Sequence, residues 1–349
     1  MKDLWNKQYR HKKHCQANKI GEKCFDRKTG ILAGIIAGLL PSLLLHTTQP
    51  LRDSIFIVLM ATYVLLLFFV MENPLTFFKG FMFTGIGFIL MLALWLVRDS
   101  LSPLYLVITG ASAALILIRL LKITEKKKFI FNLVCLAMLF MAILFIPKVF
   151  HSYLPEKKDV KSHLRWEEFL DSDPHSDQLY LIRKIRYLRE AFIADAKANS
   201  NAAGSNIDLD VQFSNTMDVI AYLPRAFEIG IFSPFPNYWF DTGNAYGRIG
   251  RLLSGGEMLV TYILYIFAII GIWRIRFSVK PWLLIIIFLS ATISMALVFV
   301  NIGTLYRMRY FFWILAVILG SGGITFFWQK LQSNKIPLSQ IQICCLWNV

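Results

Sequence analysis

Eight stretches of this chain, 30–46, 54–70, 81–97, 104–121, 129–146, 258–273, 282–300 and 311–327, are almost free of charge and rich in apolar residues. A helix needs roughly 20 such residues to bridge a hydrocarbon core of about 30 Å. That recurrence leaves little besides a bundle of membrane-crossing helices. Composition agrees, since 56% of the 349 residues are apolar and only 17% are charged, against roughly 45–50% apolar in soluble domains. Disorder, a collagen-like repeat and a disulfide-knotted secreted domain are excluded, and a soluble enzyme is nearly excluded. The expected fold is an all-α polytopic membrane protein of about eight transmembrane helices, with one large extracytoplasmic loop containing amphipathic helices. The first stretch is the weakest, being short, glycine-rich and broken by Pro41. Some thirty polar residues precede it and no small-residue cleavage site follows, so it does not read as a signal peptide.

Lysine and arginine in short connections set orientation. The arm before the first stretch carries Lys2, Lys7, Arg10, Lys12, Lys13, Lys19, Lys23, Arg27 and Lys28. Arg119, Lys122 and Lys126–Lys128 follow the fourth, Arg274, Arg276 and Lys280 follow the sixth, and Lys330 and Lys335 lie in the tail. Eight crossings put all four segments on one side, the cytoplasm. The chain then divides into a basic cytoplasmic arm (1–29), a five-helix membrane region (30–149), an extracytoplasmic loop (150–256), a three-helix membrane region (257–328) and a cytoplasmic tail (329–349). The net charge of +15 is largely this orientation signal, helped by anionic lipid. No nucleic-acid partner is expected, because the basic arm lacks interleaved aromatics and a recognisable module.

Cysteines fit the same map. Cys15, Cys24, Cys344 and Cys345 fall on the cytoplasmic side, Cys135 falls inside a span, and the large loop has none. Disulfides are therefore not expected. His11, His14, Cys15 and Cys24 match no standard zinc spacing. Gly247-Arg-Ile-Gly250 and Gly255-Gly256 lack the Lys-Ser/Thr of a phosphate-binding loop. Neither a metal nor a cofactor is expected.

Within the loop, Tyr180-Leu-Ile-Arg-Lys-Ile-Arg-Tyr-Leu-Arg-Glu-Ala-Phe-Ile193 has Leu181, Ile185, Leu188 and Phe192 at helical spacing, with Arg183, Lys184, Arg186 and Arg189 largely elsewhere. Such a helix suits either a membrane surface or packing within the loop. Further on, Pro224 reads as the start of a helix, and Pro234 and Pro236 as its end. The segment reads as a short helix on the outer leaflet, followed by an aromatic elbow of Phe235, Tyr238 and Trp239 at the interface.

The last external connection, Asn301-Ile-Gly-Thr-Leu-Tyr-Arg-Met-Arg-Tyr310, reads as short and irregular. Arg307 and Arg309 oppose the charge bias there, and a guanidinium near a bilayer needs a partner. Carboxylates and phosphates are the strong ones, because Arg grips them in a bidentate way. Arg307, Arg309 and Arg225 are thus candidates for a lipid-linked phosphate, with Asn301, Tyr306 and Glu257 in support. Snorkelling to head groups, or pairing with Glu257, Asp241 or Glu228, is the structural alternative.

Tyr222-Leu-Pro-Arg-Ala-Phe-Glu-Ile-Gly-Ile-Phe-Ser-Pro-Phe-Pro236, Glu257-Met-Leu and Asn301-x-Gly-Thr-Leu-Tyr-Arg-x-Arg-Tyr310 together resemble the glycosyltransferase family 39-like bacterial membrane proteins of the C-type fold, over roughly 183–323. The resemblance implies a polyprenyl-phosphate-linked sugar as donor at the outer leaflet, and a role in cell-surface polysaccharide or lipid-glycan assembly. It also implies a catalytic acid in the first external loop. Here that connection is only Thr47-Thr-Gln-Pro-Leu-Arg-Asp53, so Asp53 is the one substitute base on offer and the catalytic residue stays unassigned. Either the chain is an N-terminally shortened member or it was never a transferase. Three functions follow as expectations: a transferase, an O-antigen-type polymerase or ligase, and a non-catalytic membrane subunit that docks glycan-assembly proteins.

Overall fold

The computed structural model describes residues 19–40, 52–98, 101–120, 126–151, 180–198, 205–240 and 247–333. These are almost entirely helical, without strands beyond one isolated bridge. In chain order the helices are α1 (Arg27–Leu39), α2 (Arg52–Glu72), α3 (Phe77–Val97), α4 (Ser102–Leu120), α5 (Lys126–His151), α6 (Tyr180–Ala198), α7 (Thr216–Phe232), α8 (Gly247–Arg274), α9 (Val279–Val298), α10 (Ile302–Met308) and α11 (Tyr310–Ser333). Seven of them, α2 to α5, α8, α9 and α11, are long and apolar enough to cross a membrane. They coincide with the last seven stretches read from sequence. The first stretch is helical over Arg27–Leu39, 13 residues, and residues 41–50 lie outside the described residues.

Hydrocarbon offers a backbone no hydrogen-bond partner, so each apolar run closes its own i to i−4 ladder. Among the described residues, most polar side chains within the bundle are accordingly paired, the buried Ser321 hydroxyl being an exception. Tyr63 of α2 and Thr109 of α4 share a hydrogen bond of 2.6 Å. Asn132 of α5 donates to the carbonyls of Val70 (2.7 Å) and Asn73 (2.8 Å) and accepts from Leu75 N–H (2.9 Å), which fixes the turn between α2 and α3. The most extensive packing joins α8 and α11. A side chain at Gly271 would meet the Leu319 carbonyl at 2.7 Å, and one at Gly320 would meet the Leu264 carbonyl at 2.7 Å. Small residues let these two backbones touch, a common basis of helix association in lipid.

The bundle has two chemically different ends. At one, Glu72 pairs with both Lys23 and Lys280, Arg274 meets Gln329 at 3.3 Å, and Gln329 meets Asp26 at 3.4 Å. Asp26 also caps α1 by accepting from Thr29 N–H at 2.7 Å, and Thr29 bonds Thr325 of α11 at 2.7 Å. At the other end, Phe56 packs edge-on against Phe311 and Phe312, with the Arg98 guanidinium over its ring. The loop helices gather here. Ile207 N–H donates to the Val300 carbonyl (2.8 Å) and Ile302 N–H to that of Ser205 (3.0 Å), so residues 205–207 are tied to the connection between α9 and α10.

Two local expectations change. Helix α7 begins at Thr216, not at Pro224, because Asn215 and Asp218 form a capping box that starts it eight residues earlier. Pro224 sits inside the helix with its ring on the exposed side. The connection expected to be irregular contains α10, started by Asn301, whose side chain accepts from Thr304 N–H at 3.0 Å.

Candidate functional site

The face of α6 that turns inward is not its apolar stripe. Arg186, Arg189 and Ile193 are buried, whereas Ile185, Leu188 and Phe192 are only partly covered. Arg189, 1% exposed, donates to the carbonyls of Val211 (2.9 Å), Leu297 (3.0 Å) and Asp208 (3.0 Å). Its guanidinium lies 4.8 Å from the rings of both Phe213 and Tyr222. Arg186 donates to the Phe213 carbonyl at 2.9 Å. A guanidinium whose donors meet three carbonyls and two aromatic faces is a structural staple, and it locks segment 205–213 onto the end of α9.

Beside it, Asp208 gathers α7. Its carboxylate accepts from Tyr222 Oη at 2.7 Å and from Arg225 Nε at 3.1 Å, and Arg225 Nη1 reaches Glu228 at 2.8 Å. Burial pushes the Asp208 carboxyl up, but the hydrogen bonds from Arg225 and Tyr222 outweigh it and hold the group below its ordinary range. Asp208 takes a left-handed backbone, φ 51°, which Asp tolerates better than most residues. Arg225 is therefore paired with two carboxylates, and the structure assigns it to the Asp208 cluster rather than to a shared arginine group.

Glu257, Tyr306 and Arg309 do come together. Tyr306 Oη donates to the Glu257 carboxylate. With Met258, Thr261, Tyr310 and Trp313 these residues line a cleft of about 10 Å³ between α8 and the start of α11, around the room one water needs. Glu257 is buried, and Arg309 is 3% exposed. Arg309 Nη1 donates to the Gly230 carbonyl at 3.2 Å, Nη2 points at Met258 Sδ at 3.0 Å, and the guanidinium lies 5.1 Å from the Tyr306 ring. No carboxylate lies within ion-pair range of Arg309 among the described residues.

The Gly230 carbonyl belongs to the last turn of α7, whose final carbonyls have no partner within the helix. Each of the last three meets a side chain: Gly230 meets Arg309, Ile231 meets Tyr265 Oη (3.2 Å) and Phe232 meets Tyr262 Oη (2.7 Å). The cationic side chain also suits the negative end of the helix dipole. Arg309 thus caps α7 and borders the cleft at once.

The remaining candidates separate. Arg307 is exposed and bonds to no other described residue. Asn301 is a helix cap and a strap, since its Nδ2 also donates to Asn206 Oδ1 at 2.8 Å. Asp53 falls in the first turn of α2, and its side chain lies outside the described residues, as does Asp241. Sequence reasoning missed Arg189, Asp208, Tyr262 and Tyr265. Arginines on a basic helix read as solvated, and isolated tyrosines in a span give no sign of a distant carbonyl.

Comparison of the chain with family models, with curated proteins and with solved structures gave no match.

Proposed function

We propose that this multi-pass membrane protein handles a polyprenyl-phosphate-linked sugar at the outer leaflet of a bacterial inner membrane, in cell-surface polysaccharide or lipid-glycan assembly. The observation that carries this reading is the guanidinium of Arg309. It is buried, it borders a cleft shared with the Glu257 carboxylate, and its side-chain acceptors are a carbonyl and a thioether. A phosphate oxygen is a far stronger acceptor for that group than either. Arg307, exposed two residues away, would hold the same head group at the mouth. In a transfer step the acceptor hydroxyl would lose its proton to the Glu257 carboxylate while its oxygen bonds the anomeric carbon. The bond from that carbon to the phosphate oxygen breaks, and Arg309 and Arg307 would balance the charge on the departing phosphate.

The same reading takes the Lys23–Glu72–Lys280 end as cytoplasmic, by the positive-inside rule, and the end bearing α6, α7 and α10 as external. Eight crossings are supported by the path of the chain between Thr29, bonded to Thr325 near the basic end, and Phe56, packed on Phe311 at the other. On this reading the eighth crossing falls between them.

A second reading, a non-catalytic subunit of a glycan-assembly complex, is favoured by the capping role of Arg309 and the full pairing of Arg225. Binding of undecaprenyl phosphate to the full-length protein in nanodiscs, followed by native mass spectrometry, separates the two. Replacing both Arg307 and Arg309 by Gln should weaken binding at least tenfold in protein that still elutes as one species. Unchanged binding together with a lowered Tm would overturn the substrate reading and leave the subunit reading.

A further inference from the structure

We propose that α7 is a re-entrant helix, which enters the bilayer from the external end and lays the flank formed by Ile220, Leu223 and Phe227 against lipid acyl chains. This inference is independent of any substrate.

Depth is the first support. Gly230 packs directly on the backbone of α9, where a side chain would meet the Thr292 carbonyl at 2.7 Å. Thr292 lies six residues before the end of α9 at Val298. At about 1.5 Å per residue the end of α7 sits roughly 9 Å inside the external end of that span. Tyr262 and Tyr265, which receive its last carbonyls, lie in the middle of α8, and Tyr265 packs against Phe288 of α9. A helix that stops within hydrocarbon must find partners for its final carbonyls inside the protein. Arg309, Tyr265 and Tyr262 supply them.

The second support is the division of the helix surface. Val219, Tyr222, Ala226 and Ile229 are buried in the bundle. Of the residues left outside, Ile220 (50% exposed), Leu223 and Phe227 (41%) form one flank, and Asp218, Arg225 and Glu228 form the other. Angular spacing of about 100° per residue keeps these strips apart. On α8, Leu259, Ile263 and Ile266 are likewise exposed, and Phe232 at the end of α7 packs against Tyr262 and Tyr265. The charged flank, with its Arg225–Glu228 ion pair, requires water. Neighbours Phe227 and Glu228 therefore face different media. After α7 the chain turns back through Pro234-Phe-Pro236, and Trp239 rests on Gly255 of α8, level with the external end of the spans, the depth tryptophan favours.

Single cysteines at Phe227, Leu223, Glu228 and Ile266, labelled with the environment-sensitive fluorophore NBD in proteoliposomes, test this. Cys15, Cys344 and Cys345 would be replaced by Ala, while Cys24 and Cys135 are buried. Labels at Phe227 and Leu223 should be quenched by acyl-brominated lipid to at least half the extent seen at Ile266, and hardly by aqueous iodide. The label at Glu228 should behave in the opposite way. Iodide quenching at both Phe227 and Leu223, without bromolipid quenching, would overturn the proposal by placing the flank in water. Protection from both quenchers would overturn it as well, because a second copy or another protein then covers the flank. Two apolar positions guard against one variant misfolding.

Discussion

A guanidinium carries five N–H donors, and Arg189 directs its three nitrogens at main-chain carbonyls of segment 205–213 and of the end of α9. Arg225 instead meets two carboxylates, and Asp208, held below its ordinary range, is a residue through which pH acts on this end of the bundle. Its folded carboxyl titrates below its ordinary range near ~3.9. A depressed carboxylate adds stability that is complete above the unfolded value and is lost as pH falls through the folded one. The protein in detergent should therefore hold its Tm from pH 7 down to about pH 5 and lose it progressively toward pH 3. Asp208→Asn should have a lower Tm at pH 7 and a flatter profile below pH 5, with Arg225 and Tyr222 left as donors to an amide. Parallel profiles for the two proteins would remove Asp208 from this role.

Helices were legible wherever one property decides them. Seven apolar runs became seven long helices, because burial in lipid leaves the backbone one way to satisfy itself, although α8 starts at Gly247, eleven residues before its run. The faces were less legible. In α6 the inward strip holds Arg186 and Arg189, since carbonyls at the end of α9 and in 205–213 outbid the apolar stripe, and those carbonyls come from distant sequence. Of the six candidates named together from sequence, Glu257, Tyr306 and Arg309 meet, while Arg307 stays exposed, Asn301 caps α10, and Arg225 was claimed by Asp208, which sequence gave no reason to place there. The seam between α8 and α11 was not foreseen from Gly271, Gly320 and Gly323, because a glycine's purpose depends on what approaches it. It yields a differential test. Gly323→Ala would drive a methyl into the Phe267 carbonyl and should destabilise by about 1–3 kcal/mol. Gly256→Ala, on the same helix pair with open space around it, should be neutral or stabilising by up to ~1 kcal/mol. Thermal unfolding in detergent reads the pair, and equal losses would mean the helices do not touch at Gly323.

For the molecule as a whole, the two ends make opposite promises to a reagent that cannot cross a membrane. Cysteines at Arg276 and at Asn237, both on accessible surface, should label from opposite sides of sealed, right-side-out vesicles: Asn237 from outside, Arg276 only after permeabilisation. Labelling of both from outside would break the eight-crossing topology. One arrangement at the external end reaches further than any single contact in it. Arg309 holds the end of α7, α10 leads from Arg309 back to Asn301, Asn301 and Ile302 hold residues 205–206, and Asp208 returns through Tyr222 and Arg225 to α7. These contacts close on themselves like the hoop of a barrel. Loosening one leaves the others to bear the load, so small independent flickers are suppressed. A break at any one of these contacts therefore leaves the segments still joined the other way round the ring.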